Sequence, residues 1–278
     1  MKLHLLYPAS PINRKSVDED FAEEFWAVQA RGLQASVADD SFVDKSLEAY
    51  PPIPPYALVA YRGWMLNLDT YGRLEAQVEA AGATMLTPKN AYALTHHLPN
   101  WFPICEDLTA RTVLLSEDSD FRKELEAKTA GWGGYFVKDW VKSLSTAPGS
   151  VAHNADEVAE VVRLLKHYRG AIEGGVCVRE LTRFQPDSET RFFVVDGKAY
   201  GGTTDGIPPI VVECARRLRG STFYSVDVAR TVTGEWQIVE LGDGQVSDRK
   251  SWPLARFVDL LTRLGQAPTL DTQKKLQT

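Results

Sequence analysis

Two lysines in one short segment are the first candidates for chemistry. Lys138 and Lys142 lie four residues apart in GYFVKDWVKS, residues 134–143. This spacing suits one face of a helix or of a strand, but the aromatic and β-branched neighbours, together with the GWGG just upstream, favour a strand. On a strand, Phe136, Lys138, Trp140 and Lys142 share one face, with the two lysines roughly 13 Å apart. Such a pair could bind along an extended polyphosphate, or it could guard an edge strand against pairing.

Carboxylates that could bind a divalent cation occur late in the chain. Asp227 lies in SVDVAR, and Glu240 and Asp243 lie in VELGDG. A predicted turn at TVTGEW joins the two strands, so Asp227 and Glu240 could be near neighbours across a hairpin. Two close carboxylates repel each other unless a cation neutralises them, and Mg²⁺ prefers hard oxygen ligands. The alternative is an acidic hairpin end without a ligand.

Three further charged residues are candidates because of where they stand. Glu189 and Arg191 in SETRFF are two positions apart, so on a strand they point to the same side. They could equally be a surface pair. Arg62 follows the apolar segment YALVAY, at the carboxyl end of a predicted parallel strand, where α/β sheets bind ligands. Its alternative role is that of a buried structural arginine paired with an acidic residue.

The elements that must position these residues fall into two patterns. Strand and helix signals alternate over the first ninety residues, which predicts a small, mostly parallel sheet flanked by helices. After Thr109 the chain is richer in strands, with a hairpin at Asp196-Gly197 and another near Thr233-Gly234. The segments AYPPIPP, HHLPNWF and SLSTAPGS are predicted loops, and ADEVAEVVRLLKHYRG and WPLARFVDLLTRLG are predicted helices.

Composition narrows the class of protein. The chain has 278 residues, 44% of them hydrophobic and 24% charged, which is ordinary for a globular protein. A net charge of −6 disfavours nucleic acid as the main partner. The three cysteines lack a CxxC motif, which argues against a zinc site or a disulfide framework. With neither a signal peptide nor a membrane-spanning run evident, we expect a soluble, cytoplasmic protein that does not bind membranes.

The order of these charged residues resembles that of the ATP-grasp superfamily over roughly residues 110–250. The resemblance is closest to a compact bacterial and phage clade with a VKDxVKS-like strand and an RGW segment, here Arg62-Gly63-Trp64. It implies an α/β (α+β) protein with an ATP-grasp fold of two α+β lobes preceded by a small α/β domain. The expected segments are an amino-terminal domain (1–95), a small lobe (96–175), a large lobe (176–265) and a disordered tail (266–278).

The resemblance also implies cofactors and residue roles. ATP and Mg²⁺ would be bound, with the small residues of SLSTAPGS covering the phosphates. The resemblance implies that the nucleotide is bound by Lys138, Lys142, Glu180, Leu181, Glu189 and Arg191. It implies catalytic roles for Arg191, Lys142 and Arg62. It implies that the metal is bound by Asp227, Glu240 and Asp243. Many family members place an asparagine two positions after the metal-binding glutamate, whereas this chain has Gly242 there and Asp243 next.

The implied reaction is ATP-dependent formation of an amide bond between a carboxylate and an amine, through an acyl phosphate. The substrate would be an amino acid, a peptide or a protein terminus. Two alternatives remain: an ATP-binding regulatory or adaptor module without catalysis, and a phosphotransferase with a hydroxyl acceptor.

Overall fold

The computed structural model describes residues 1–39 and 46–266. These residues form two compact units. The first contains Met1–Thr95, Arg191–Val226 and Gly242–Thr278, and the second contains His96–Thr190 and Asp227–Leu241. The predicted domain boundaries at residues 95, 175 and 265 stay a prediction, because the two units are groups of closely packed residues and do not correspond one to one with the predicted lobes. The tail predicted from residue 266 lies, apart from Gln266, outside the described residues.

The amino-terminal part of the first unit is the predicted, mostly parallel sheet. Its strand order is β3-β2-β1-β4-β5, with β1 parallel to both β2 and β4. The interior of β1 is buried on both faces and is apolar except for His4, as is typical of a central parallel strand. The elements are β1 (Lys2–Pro8), α1 (Glu19–Ala30), β2 (Gln34–Ala38), β3 (Ala49–Tyr50), β4 (Ala57–Tyr61), α2 (Leu68–Ala80), β5 (Thr84–Met85) and α3 (Lys89–His96).

The second unit is built on an antiparallel sheet with strand order β6-β9-β7-β8. Its helix α6 covers one face of this sheet with the apolar positions predicted from the sequence, Val158, Val161, Val162 and Leu165. The elements are α4 (Leu98–Cys105), a 3₁₀ turn (Glu106–Leu108), β6 (Thr112–Leu115), α5 (Phe121–Lys128), β7 (Tyr135–Asp139), β8 (Val151–Ala152), α6 (Ala155–Arg169) and β9 (Val176–Glu180).

The remaining strands form a sheet with order β11-β10-β12-β13. Both predicted hairpins are present, and at the first one Asp196 and Gly197 have φ values of +49° and +72°, as a tight two-residue turn requires. The elements are β10 (Thr190–Val195), β11 (Lys198–Gly201), α7 (Pro209–Arg217), β12 (Phe223–Arg230), β13 (Trp236–Asp243) and α8 (Leu254–Leu264).

Three local predictions are wrong. The segment AYPPIPP is not a loop throughout, because Ala49 and Tyr50 form β3 and pair with β2. The segment HHLPNWF is not a loop, because α4 begins at Leu98 and holds Pro99 in its first turn, where a missing N–H is tolerated. The strand predicted over residues 134–143 ends at Asp139.

In the described part of the chain, no helix combines the length and the apolar character that crossing a bilayer needs.

Candidate functional site

The face of the second unit's sheet that α6 leaves uncovered carries positive charge. Lys138 on β7 lies directly opposite Cys177 on β9, and Phe136 lies opposite Arg179. Residues opposite each other on antiparallel strands point to the same face, so these four side chains share one face. The alternate residues, such as Val137 and the valines of β9, pack into the core beneath α6. The face with Lys138 and Arg179 therefore carries the charged side chains of these two strands.

Lys138 is held there by an ion pair with Glu240 of β13. The Lys138 ammonium donates to the Glu240 carboxylate, and the exposed fractions of the two side chains are 6% and 41%. The lysine charge is thus buried, whereas the carboxylate keeps one side open to solvent. Without a ligand the two charges neutralise each other. A bound anion would replace Glu240 as the partner of Lys138, and a bound cation would replace Lys138 as the partner of Glu240.

Asp227 on β12 and Glu240 on β13 lie on paired strands of one hairpin. At the open end the Gly244 N–H donates to the Phe223 carbonyl over 3.1 Å, whereas at the turn the Thr231 N–H donates to the Glu235 carbonyl, so the register shifts by one residue within the hairpin. A shared face for Asp227 and Glu240 stays a prediction. Two carboxylates that share one face of a hairpin can bind a divalent cation.

Asp243, the third predicted metal ligand, belongs to the first unit, whereas Asp227 and Glu240 belong to the second. Its Oδ1 accepts the Gln245 backbone N–H (3.0 Å) and the Gln245 side-chain amide (3.2 Å). Burial raises the pKa of Asp243 to about 7, and Oδ2 has no partner among the described residues.

Asp227 and Glu240 are the two predicted metal ligands that lie in the second unit. Within residues 1–39 and 46–266, no three or more histidine, cysteine, aspartate or glutamate side chains are grouped so as to hold a metal ion. Mg²⁺ in nucleotide sites commonly binds one or two carboxylates and completes its shell with phosphate oxygens and water. Asp227 and Glu240 fit that requirement without Asp243.

A side-chain turn ends β7 and redirects the second lysine. The Asp139 Oδ1 accepts the backbone N–H groups of Val141 (2.7 Å) and Lys142 (2.6 Å), so the chain folds back and Lys138 pairs with Ser143. Arg169 forms an ion pair with the other oxygen of this buried carboxylate. Lys142 is exposed at the turn, so the two lysines do not stand in a row along one strand, and their predicted 13 Å spacing is wrong.

Both lysines act on a nearby histidine. Burial, the neighbouring His97 and the charges of Lys138 and Lys142 lower the pKa of His96 to about 3. His96 is therefore neutral at physiological pH and offers no proton for catalysis.

A model of the ATP-grasp domain, R2K clade family 3, matches residues 105–261, more than half of the chain. The chain belongs to this ATP-grasp family. The predicted α/β fold of the ATP-grasp type is thus confirmed, and the site described above lies inside the matched region.

Solved ATP-grasp ligases share this fold at low sequence identity. D-alanyl-alanine synthetase A from Vibrio cholerae has a TM-score of 0.66 and 11% identity, over 95% of this chain and 97% of that one. D-cycloserine synthetase DcsG gives 0.62 and 15%, over 95% and 100%. The ligase PsnB, complexed with a phosphomimetic variant of a minimal precursor, Mg and ADP, gives 0.60 and 16%, over 95% and 97%. No curated protein matches the chain.

Arg179 shares this face with Lys138 and was not among the predicted site residues. It is only 6% exposed, and it donates through Nη1 to the Val239 carbonyl (2.6 Å) and through Nη2 to the Thr109 hydroxyl (2.5 Å). Its Nε has no partner among the described residues. The available signal was an arginine inside the otherwise apolar strand VCVRE, because buried arginines need a specific partner.

The predicted adenine-binding residues of the ATP-grasp fold are partly engaged. Arg111 binds the Glu180 carboxylate through two nitrogens, at 2.8 and 2.7 Å, and this lowers the pKa of Glu180. The backbone N–H groups of Glu180 and Leu181 donate to the carbonyls of Arg111 and Gly134. The contribution of Glu180 and Leu181 to base binding stays a prediction, and their N–H groups are already in use.

The argument that placed Glu189 and Arg191 on one side of a strand does not apply. Glu189 is exposed and precedes β10, which begins at Thr190. Arg191 lies on β10 and donates through Nη1 to the Asp248 carbonyl at 2.7 Å. Their roles toward ribose and phosphate stay predictions.

Arg62 has the structural role that was its alternative. In the first unit its Nε and Nη2 bind the Glu24 carboxylate at 2.8 and 2.9 Å. Its Nη1 donates to the carbonyls of Gly244, Gln245 and Ser247. The guanidinium is buried and anchors residues 244–247. We therefore propose no catalytic role for Arg62.

Proposed function

We propose that this protein is an ATP-dependent ligase that binds Mg-ATP beside the Lys138–Glu240 ion pair of the second unit. The observation that supports this most directly is the ion pair between buried Lys138 and half-exposed Glu240 within an ATP-grasp domain. A cation and a carboxylate that neutralise each other without a ligand are suited to receive a phosphate oxygen and a metal ion, respectively.

Asp227 and Glu240 would hold Mg²⁺, which supplies neutralisation of phosphate charge when bound. Lys138 would turn its ammonium from Glu240 to a phosphate oxygen, for which a compact point charge is well suited. Lys142 and the small residues of 143–150 would close over the phosphates, because small side chains let backbone N–H groups approach oxygens.

The reaction proposed is amide-bond formation. A substrate carboxylate attacks the γ-phosphate of ATP, ADP leaves and an acyl phosphate forms; an amine then displaces phosphate to give the amide. The chain's own groups contribute orientation and charge neutralisation, and no nucleophilic side chain is required. We propose an amino acid or a peptide as the substrate class. Two similar structures support this: a D-alanyl-alanine synthetase, and the ligase PsnB complexed with a minimal precursor.

The test is the melting temperature with a non-hydrolysable ATP analogue and Mg²⁺, together and alone. Binding at a hundredfold excess over the dissociation constant stabilises the folded protein by about 2.7 kcal/mol. We expect a metal-dependent increase in the wild type and in Glu235→Gln, an exposed control on the same hairpin, and its loss in Glu240→Gln. A wild-type protein that does not respond to millimolar nucleotide would refute the proposal.

Product analysis then separates the reactions that share this site. Release of ADP with an amide product supports the ligase, and a phosphorylated hydroxyl compound would identify a phosphotransferase. Nucleotide binding without ADP release over a broad screen of amino acids and peptides would leave the non-catalytic module as the better description.

A further inference from the structure

Two residues outside the predicted site fix the backbone that carries Glu240. Thr109 lies between the 3₁₀ turn and β6, and its hydroxyl donates to the Ile238 carbonyl at 2.7 Å. The same hydroxyl accepts Nη2 of Arg179, whose Nη1 donates to the Val239 carbonyl. Thr109 also forms a parallel β-bridge with Ile238. The two carbonyls so bound belong to the two residues that immediately precede Glu240.

We infer that Thr109 and Arg179 are positioning residues that set the direction of the Glu240 carboxylate toward the metal. The inference rests on the proposed function, in which Glu240 binds Mg²⁺. The direction of a strand side chain follows its backbone, so fixing residues 238 and 239 fixes the start of Glu240. Mg²⁺ requires near-ideal octahedral geometry, and a small displacement of one ligand therefore weakens binding.

The strength of this arrangement comes from burial and charge. Thr109 and Arg179 are both buried, and the Thr109 hydroxyl is at once the donor to β13 and the acceptor for the guanidinium. Hydrogen bonds to a charged donor are roughly twice as strong as those between neutral groups. Removing this one hydroxyl breaks the bond to Ile238 and leaves Nη2 of Arg179 without its acceptor.

The chain offers a matched control on the neighbouring strand. Thr112 lies opposite Arg179 in the register of β6 and β9, but its hydroxyl donates to the Ala110 carbonyl at 2.9 Å. It therefore neighbours the same arginine and makes its bond inside its own segment. Thr112→Val removes a threonine hydroxyl without removing a bond to β13.

The experiment titrates Mg²⁺ at a fixed concentration of ATP analogue and measures binding by the shift in melting temperature. It compares the wild type with Thr109→Val, Thr109→Ser and Thr112→Val. We expect Thr109→Val to raise the half-saturating Mg²⁺ concentration about tenfold, the equivalent of one lost charge-assisted hydrogen bond. Thr109→Ser, which keeps the hydroxyl, and Thr112→Val should stay within about twofold of the wild type.

A purely structural role gives a different pattern. In that case Thr109→Val lowers the melting temperature of the ligand-free protein and leaves the half-saturating Mg²⁺ concentration unchanged, which would overturn the inference while the wild-type response upholds the proposed function. If Thr109→Val does not fold, Arg179→Lys takes its place, because the single nitrogen of lysine cannot reproduce the two separate nitrogens that bind the hydroxyl and the carbonyl; the same shift is expected, and its absence counts against the inference. A wild type without any Mg²⁺-dependent response would overturn both proposals.

Discussion

Replacing Glu240 by glutamine should destabilise the ligand-free protein more than removing the lysine with which it pairs. The reason is the unequal exposure of the two side chains, 6% for Lys138 and 41% for Glu240. Glu240→Gln leaves a buried ammonium beside a neutral amide. Lys138→Met leaves a carboxylate that water can still hydrate, and methionine fills much of the space of the lysine stem.

The magnitude follows from this difference in burial. Removing one partner of a fully buried ion pair costs about 3–5 kcal/mol. Because water reaches the glutamate side of this pair, we expect about 2 kcal/mol for Glu240→Gln and less than about 1 kcal/mol for Lys138→Met. In a domain of 150–250 residues, 2 kcal/mol corresponds to a decrease in melting temperature of roughly 4–8 °C.

The assay is urea and thermal unfolding at pH 7 without nucleotide, for both single variants and the double variant. The double variant should be as stable as Lys138→Met, because no buried charge remains to be neutralised. Equal losses in the two single variants, or an unchanged Glu240→Gln, would show that the Lys138 charge does not depend on Glu240. Both single variants should also lose the Mg-dependent response, which separates folding from ligand binding.

Three other substitutions test particular environments. Burial raises the pKa of Asp243 to about 7, above its unfolded value near 3.9, so its stabilising contribution is complete below about pH 4 and is lost as the pH rises to 7; Asp243→Asn should reduce the change in the free energy of unfolding between pH 5 and 8 by about 3 kcal/mol. Arg62→Lys should cost about 3 kcal/mol in urea unfolding, since lysine cannot reproduce the paired bonds to its carboxylate. Gly174→Ala should lower the melting temperature, because φ is +76° and a Cβ would lie 2.2 Å from the Trp140 ring, whereas Gly133→Ala, with open space, should not.

Local patterns were sufficient wherever the chain's own neighbours decide the structure. The turn at Asp196-Gly197 and the apolar stripe of α6 need only nearby residues, and both are confirmed. The end of β7 was missed because the Asp139 carboxylate binds the N–H groups that follow it, and this local bond competes with continued strand. By composition alone, Asp139 is one more residue of an aromatic, β-branched run.

The site shows a sharper limit. The types and order of the charged residues indicated a nucleotide site, but the partner of Lys138 stands 102 positions away and is set by the packing of strands. Arg179 was passed over for the same reason, since its acceptors on Thr109 and Val239 are remote in sequence.

The discontinuous first unit has a consequence for synthesis on the ribosome. Helix α8 packs its apolar face, including Phe257 and Leu261, into the same core as Leu5 of β1 and Val28 of α1. The ribosome synthesises β1 and α1 long before α8, and until α8 is made these two elements expose an apolar surface that favours aggregation. A nascent chain that is stalled or cleaved before Leu254 leaves this core incomplete.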